Sequence, residues 1–361
     1  MSGNTKLKNG LQAFLDERFN ISSLLQIADK KKVPIHKHAV WYYMGGIATM
    51  YLAVQFITGI LLMIYYVPEI SSAHASILKI NSKIDFGWFI RSLHSWGANL
   101  LIAILFAHLF STFFMKAYRR PREFTWLTGL LLMVICMAFG FSGYLLPWDD
   151  VSFFATKIGL DIAAKTPLIG ETVANMLRGG EHIGQATISR FFAIHVIVLP
   201  AALLALLGVH LLLVQLHGMS APGSFNDLPE AKKTYEKFFP DFFYKDILVW
   251  ILAANVLFAL VMLNPWGIGP EADPFAPAPV GIKPEWYFLS MFQFLKLIPP
   301  MVGPIEGELF GMVLMGLAAL GFVILPFVDN GKSKAWSRFA TIFGLLILTG
   351  MILLSIWGAL S

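Results

Sequence analysis

Seven runs of predominantly apolar residues, each long enough to cross a bilayer as a helix, dominate this chain. They lie at Val40–Val67, Trp88–Met115, Trp126–Leu146, Phe191–Leu216, Ile247–Leu263, Leu309–Val328 and Phe339–Leu360. A hydrocarbon core of about 30 Å takes roughly 20 helical residues. The runs therefore predict an all-α, polytopic membrane protein with seven transmembrane helices. Composition agrees: 57% of the residues are hydrophobic, only 14% are charged, and the mean hydropathy is +0.67. A soluble chain does not have these values.

The basic residues predict an orientation. Eighteen lysines and arginines fall in the N-terminal segment and in the second-to-third, fourth-to-fifth and sixth-to-seventh connections, against seven in the alternate connections. The positive-inside rule then puts the N-terminus in the cytoplasm and, after seven spans, the C-terminus outside. A bacterial cytoplasmic (inner) membrane is the expected location. The net charge of +5 follows from this topology and calls for no nucleic acid. Residues 1–38 are polar and basic, with apolar residues at helical spacing between Leu7 and Ile27, which predicts an amphipathic helix on the membrane surface. No secretory signal is visible. Three parts result: a surface segment 1–38, a four-helix bundle 39–218, and a three-helix part 219–361. The two long outer loops, each about 40 residues, are of a length usually tied to function. They contain short amphipathic stretches at Ile158–Leu177 and Glu285–Ile298, the second too short to span and so expected in the interface.

Four histidines sit inside the apolar runs. His94 and His108 are 14 residues apart in the second span, and His195 and His210 are 15 apart in the fourth. Each step is about four helical turns, or roughly 21–22 Å. Both spans enter from the outer side, so His94 pairs in depth with His195, and His108 with His210. Neutral imidazole is a natural axial ligand of haem iron. Two facing bis-histidine sites would hold two haems for electron transfer through the bilayer. A lone intramembrane histidine is more often a hydrogen-bonding group or part of a proton path; four at two matched depths favour ligation. The single cysteine, Cys136, excludes an internal disulfide and a Cys-x-x-Cys-His attachment, so any haem here is held noncovalently through histidine. Glycines repeat the spacing: Gly45 and Gly59 in the first span, Gly129 and Gly143 in the third. Each costs up to about 1 kcal/mol in a helix. They could serve close helix packing or make room for a flat macrocycle at each depth, and the shared spacing favours the second.

From about residue 10 onward the chain resembles cytochrome b of the quinol-oxidising cytochrome bc family. The resemblance rests on Arg91-Ser92-Leu93-His94, on Gly143-Tyr144-Leu145-Leu146-Pro147-Trp148-Asp149, on Thr187–Phe192 before His195, and on Pro284-Glu285-Trp286-Tyr287. The 15-residue histidine step and the end of the chain three helices after the bundle are similar to the split, photosynthetic form, here with both parts fused. Where that form carries a cysteine for an extra covalent haem, the best-aligned residue is Tyr43, so the resemblance does not extend to that haem.

The resemblance implies the cytochrome b subunit of a respiratory complex. Such a subunit oxidises quinol at the outer face and passes one electron across two noncovalent b haems to a quinone-reduction site at the cytoplasmic face, contributing to proton-motive force. It implies a Rieske-type iron–sulfur protein, cytochrome c or another haem subunit, quinone, the lipid bilayer and a second copy of the chain as partners. Glu285 is the implied acceptor of a quinol proton, although glutamate in a first helical turn is also ordinary. Tyr144 and Tyr287 are pocket walls or interfacial aromatics. Arg91 could pair with a haem carboxylate or anchor its helix end. For the inner site, Lys245-Asp246 matches the family's Lys-Asp, with Asp246 a proton relay or a favoured helix-start residue. His217 is a weaker candidate, and Gln215 stands where related chains carry a quinone-site histidine or a basic residue. A second reading, a di-haem anchor shuttling electrons between quinone and a dehydrogenase, explains the histidines but not the Pro-Glu-Trp-Tyr loop. A third, a proton-relay transporter, uses the histidines without haem.

Overall fold

The computed structural model describes residue 10, residues 13–20 and residues 31–361. The amphipathic helix expected over Leu7–Ile27 lies largely outside the described residues; within it, 13–19 are helical. The principal helices are α1 (Tyr43–Met63), α2 (Ala73–Lys83), α3 (Gly87–Phe114), α4 (Glu123–Tyr144), α5 (Asp150–Ala164), α6 (Gly170–Arg178), α7 (Gln185–Ala193), α8 (Leu199–His217), α9 (Phe243–Leu263), α10 (Trp286–Leu297), α11 (Gly307–Val328) and α12 (Lys334–Leu360). All seven expected spans are present, α7 and α8 forming one continuous rod over Gln185–His217. Their outward faces keep Ile57, Ile60, Leu204, Leu212, Leu252 and Leu346 exposed, as a lipid-facing surface requires.

Helix packing in a bilayer relies on close approach and on satisfied polar groups, and both are visible. Gly97 of α3 meets the Gln55 side chain of α1. The Tyr51 hydroxyl donates to the Ala253 carbonyl of α9 at 2.9 Å. Trp126 Nε1 of α4 donates to the Phe322 carbonyl of α11 at 2.8 Å. Phe113 of α3 lies against the Gly344 backbone of α12. The last three spans therefore share cores with the first four: Ile47, Tyr51 and Leu101 pack with Leu257 and Val261, and Phe113 and Trp126 with Phe322 and Ala340.

The two ends differ. At the end opposite the N-terminal segment, three connections interlock. Ile70 N–H donates to Gln185 Oε1 at 2.9 Å, and Gln185 Nε2 donates to the Pro68 carbonyl at 3.0 Å. The His74 imidazole shares a hydrogen bond with the Gly269 carbonyl at 2.8 Å. Asp150 N–H reaches the Pro270 carbonyl, and Ala272 N–H the Trp148 carbonyl. Asp149 caps α5 by accepting from Ser152 N–H at 2.9 Å. The amphipathic run expected over Ile158–Leu177 is split into α5 and α6, because Thr166-Pro167 cannot continue the helix. The Glu285–Ile298 run forms α10, as its apolar pattern predicted. Lys165 ties this layer to the start of α11 through Glu306 at 2.6 Å and Glu308 at 2.5 Å.

At the basic end, β1 (Lys32–Pro34) pairs antiparallel with β2 (Tyr235–Lys237), placing the N-terminal segment beside the connection that leads into α9. Asp329, fully buried, accepts from Tyr118 Oη at 2.6 Å and from Arg119 Nη2 at 2.8 Å. Arg119 also donates to Ser337 Oγ at 2.6 Å. This cluster clamps the α3–α4 turn to the turn between α11 and α12. Removing one partner of a buried pair leaves the other uncompensated, at a cost of about 3 kcal/mol where one partner stays part-exposed. Asp329→Asn is therefore expected to lower the apparent melting temperature of the detergent-solubilised protein by several degrees. An unchanged melting curve would show that the clamp contributes nothing.

Candidate functional site

The site begins with two rods that carry histidines inward. α3 presents His94 and His108, and the α7–α8 rod presents His195 and His210. The rings of His94 and His195 face edge-to-plane, with centroids 6.3 Å apart and an interplanar angle of 69°. Two imidazoles sharing one metal, each nitrogen about 2 Å from it, place their ring centres about 6 Å apart. His108 and His210 lie within electrostatic range of each other at the second level. The pairing is the one that matched depth predicted.

The odd spacing in the fourth span has a structural cause. Ile194–Val198, which includes His195, is a π-helical turn. An i→i+5 turn absorbs one extra residue without rotating the helix beyond it. Pro200 comes next; it offers no N–H and crowds the carbonyl of the preceding turn, which a widened turn relieves. Fifteen residues on this rod therefore span what 14 span on α3, and both histidines stay at the depth of their partners.

Each glycine of the repeat faces one imidazole. A methyl on Gly45 would stand 3.4 Å from His108 Cε1, on Gly59 3.3 Å from His94 Cε1, on Gly129 3.3 Å from His210 Cε1, and on Gly143 2.6 Å from His195 Cε1. The glycines were expected to admit a macrocycle; in the structure each seats the edge of a histidine ring. The residues before them, which no span pattern singles out, complete the seats. Thr58 Oγ1 donates to the Val54 carbonyl at 2.6 Å, so it accepts from His94 Nδ1–H at 2.9 Å. Ser142 Oγ and Thr128 Oγ1 likewise donate to their own helix carbonyls and accept from His195 and His210 Nδ1–H, each at 3.0 Å. A hydroxyl-glycine dipeptide at three of the four positions was the available signal. Fixing the proton on Nδ1 leaves the Nε2 lone pair free, the tautomer that an axial haem ligand needs. The donor chemistry thus fits b-type haem at the two histidine levels. Among the described residues no group of three or more His, Cys, Asp or Glu could hold a bare metal ion.

A cavity of about 660 Å³ runs from His94, His195, Gly59 and Gly143 to Tyr144, Glu285 and Tyr287. The sequence candidates for the outer site are thereby brought into one chamber with one histidine level. Glu285 immediately precedes α10, and its side chain does not close the usual cap on the N–H groups further into that helix. Burial in the chamber wall raises its carboxyl above the ordinary glutamate range, a shift that the Trp286 N–H only partly offsets. The Tyr287 hydroxyl packs against Gly140 of α4, a contact with no counterpart in the histidine repeat. Trp286 Nε1 donates to Asn99 Oδ1 at 2.7 Å and pins the start of α10 to α3. Arg91 lines the same chamber, and its guanidinium donates to the Trp266 and Gly267 carbonyls at 2.9 and 3.0 Å. It anchors the long loop that brings Glu285 in.

At the other level the candidates separate. The Asp246 carboxylate packs on the Gly46 backbone, 2.5 Å from where a methyl would sit, and Gly46 follows Gly45 in α1. One of its oxygens is buried without a hydrogen-bond partner. Lys245 turns away and pairs with Glu236 of β2. His217 lines a second, polar cavity of about 290 Å³ with Lys32 and Arg122, and its carbonyl accepts from Arg122 Nη2 at 2.8 Å. Tyr43 stacks on Phe242, with centroids 5.0 Å apart and planes within 9°. The position aligned with the split form's haem-bearing cysteine is thus an aromatic stack.

Comparison with known proteins matches this arrangement. The family model described as Cytochrome b/b6/petB matches residues 29–218, and the one described as Cytochrome b(C-terminal)/b6/petD matches residues 271–361. A cytochrome bc complex cytochrome b subunit of Chlorobaculum thiosulfatiphilum is 40% identical over 348 residues, covering 96% of this chain and 80% of that relative. A menaquinol:cytochrome c reductase cytochrome b subunit of Geobacillus thermodenitrificans is 41% identical over 221 residues, covering 59% of this chain and 99% of that relative. A solved structure titled hyperthermophilic respiratory Complex III aligns with a TM-score of 0.78 at 26% identity, over 96% of this chain and 98% of its own.

The imidazole seats make a graded prediction. If each level binds haem, Gly143→Val should displace His195 and lower the haem content, whereas Gly45→Ala, with ordinary contact distances, should leave it unchanged. Haem content per purified chain distinguishes the two; equal haem in both variants would contradict the seating argument.

Proposed function

The chain belongs to the cytochrome b family, with its b6-like and C-terminal, subunit IV-like parts fused in one polypeptide, and from that premise we propose that it is the cytochrome b subunit of a bc-type complex that oxidises quinol. The observation that carries this reading is the continuity of the chamber, which joins the His94–His195 level to Glu285, Tyr144 and Tyr287. A membrane anchor needs the histidines; it does not need a carboxyl held in an apolar wall beside them.

In this reading His94 and His195 hold one b-type haem, and His108 and His210 a second. When bound, each haem supplies a one-electron couple, and the two levels together supply a path across the membrane. Thr58, Ser142 and Thr128 hold the tautomer of three ligands, and the four glycines set how closely the rings approach α1 and α4. Arg122 and Lys32 at the second cavity offer positive charge to haem carboxylates at the inner level. Tyr144 and Tyr287 flank a quinol ring, and Glu285 Oε accepts a hydroxyl proton from it. The raised carboxyl matches that task better than an exposed glutamate would, because proton transfer is most effective when the acceptor titrates near the working pH. Asp246, packed on Gly46 with one oxygen free of a hydrogen bond, delivers protons to quinone at the inner side. Release at one face and uptake at the other contribute to proton-motive force.

The family implies the partners: a Rieske-type iron–sulfur protein takes the other electron of the quinol, and cytochrome c or another haem subunit receives it; with one cysteine this chain does not hold the cluster itself. The apolar outer faces of the spans serve the lipid bilayer and a second copy of the chain. The asymmetry of basic residues supports an N-terminus in the bacterial cytoplasm and a C-terminus outside. The parts 39–218 and 219–361 then divide the labour, the first holding the haems and the second supplying the Glu285 loop and Asp246.

Glu285→Gln tests the reading. Loss of a general base typically costs about 100-fold or more, so quinol oxidation by the assembled complex should fall at least tenfold while both b-haem bands persist. The wild-type rate should rise with pH through a carboxyl range above that of ordinary glutamate, since the ionised form accepts the proton. The variant should lose that rise. Undiminished quinol oxidation in Glu285→Gln would favour a di-haem anchor instead.

A further inference from the structure

The imidazole seats are alike in geometry but not in chemistry. His108 sits over Gly45 as His94 sits over Gly59: a methyl on either glycine would be 3.4 or 3.3 Å from Cε1 and 3.9 Å from Nδ1. His210 over Gly129 is nearly the same, at 3.3 and 3.8 Å. The residue before the glycine is Thr58, Thr128 or Ser142 in three seats, and Met44 in the fourth. A thioether is at best a weak acceptor. His108 Nδ1 is accordingly buried with no hydrogen-bond partner, while the other three donate to a hydroxyl at 2.9–3.0 Å.

This difference bears on the ligand's electron donation. An imidazole whose distal N–H is hydrogen-bonded is a more basic ligand at its other nitrogen. A stronger donor favours the ferric state and so lowers the potential of the iron it binds. The His94–His195 level has two such bonds and the His108–His210 level has one. We propose that Met44 is a potential-setting residue: by denying His108 an acceptor, it raises the inner haem above the outer one and makes electron transfer across the membrane run downhill. The inference rests on the reading that each histidine pair holds a b-type haem. It adds which side chain separates the two levels.

The size of the effect sets what to look for. Losing an outer-shell partner of a metal-bound histidine typically changes metal affinity by roughly 10- to 100-fold, and a tenfold change confined to one oxidation state is ~59 mV for a one-electron couple. The test is an equilibrium redox titration of the purified protein, followed optically, with the wild type and four variants. Met44→Thr, or the smaller Met44→Ser, should lower the higher-potential b-type component by about tenfold in its redox equilibrium. Thr128→Val, which removes the hydroxyl and leaves His210 only its bond to the Thr125 backbone, should raise that same component, by less than a full loss of the bond would. Thr58→Met, which copies the fourth seat into the outer level, should raise the other component. A wild type without two b-type components would overturn the haem reading and this inference with it. Two components that Met44→Thr and Met44→Ser leave in place, or a Thr58→Met protein with unchanged potentials, would overturn the Met44 assignment alone. The Met44 assignment fails equally if the Met44 variants move the component that Thr58→Met moves.

Discussion

The contact on which the structure depends is the edge of an imidazole resting on a glycine backbone. It occurs four times, and it couples three demands that conflict in a membrane. A polar ring must be buried, its distal N–H must be satisfied, and its other nitrogen must stay free. Glycine brings the ring close to the neighbouring helix, and in three seats the preceding hydroxyl accepts the N–H. The cost of glycine within a helix, up to about 1 kcal/mol each, falls on the two helices that do not carry the histidines. α1 and α4 are thus shaped for the side chains of α3 and the α7–α8 rod.

Register is the second constraint. Two rings on one rod must match two rings on another over about four turns. A single residue in excess would rotate the far histidine by about 100°, out of the bundle interior. The π turn at Ile194–Val198 removes that excess where Pro200 already disturbs the ladder. The loops then bring the chemistry to the histidines. Arg91 holds the Trp266–Gly267 carbonyls, Trp286 holds Asn99, and the chain between them delivers Glu285 into the chamber.

The sequence revealed most where a single helix carries the signal. The seven spans and the histidine and glycine repeats are one-dimensional patterns, and all are present with shifts of a few residues at the ends. The fourth span starts at Gln185 instead of Phe191 because Gly184 N–H donates to Thr187 Oγ1, a local cap that hydropathy does not register. α2 is not legible in sequence because its apolar face is only Ala73, Ile77 and Ile80. The 15-residue step was visible, but its cause lies in hydrogen-bond register, which composition and spacing do not encode. The division of Lys245 from Asp246 depends on Glu236 and Gly46, partners brought in by tertiary folding from two other parts of the chain. Arg91 met its carbonyls across 175 residues, beyond any local pattern.

The proposed haem at the two histidine levels underlies the proposed electron path, chamber chemistry and potential step alike. The most direct measurement is the haem content of the purified chain by reduced-minus-oxidised and alkaline pyridine spectra, before and after acid–acetone extraction. Two b-type haems per chain are expected, both extractable, with none left covalently attached. A chain with no b-type bands, or with a single haem per chain at full occupancy, would contradict the assignment of both levels as haem sites.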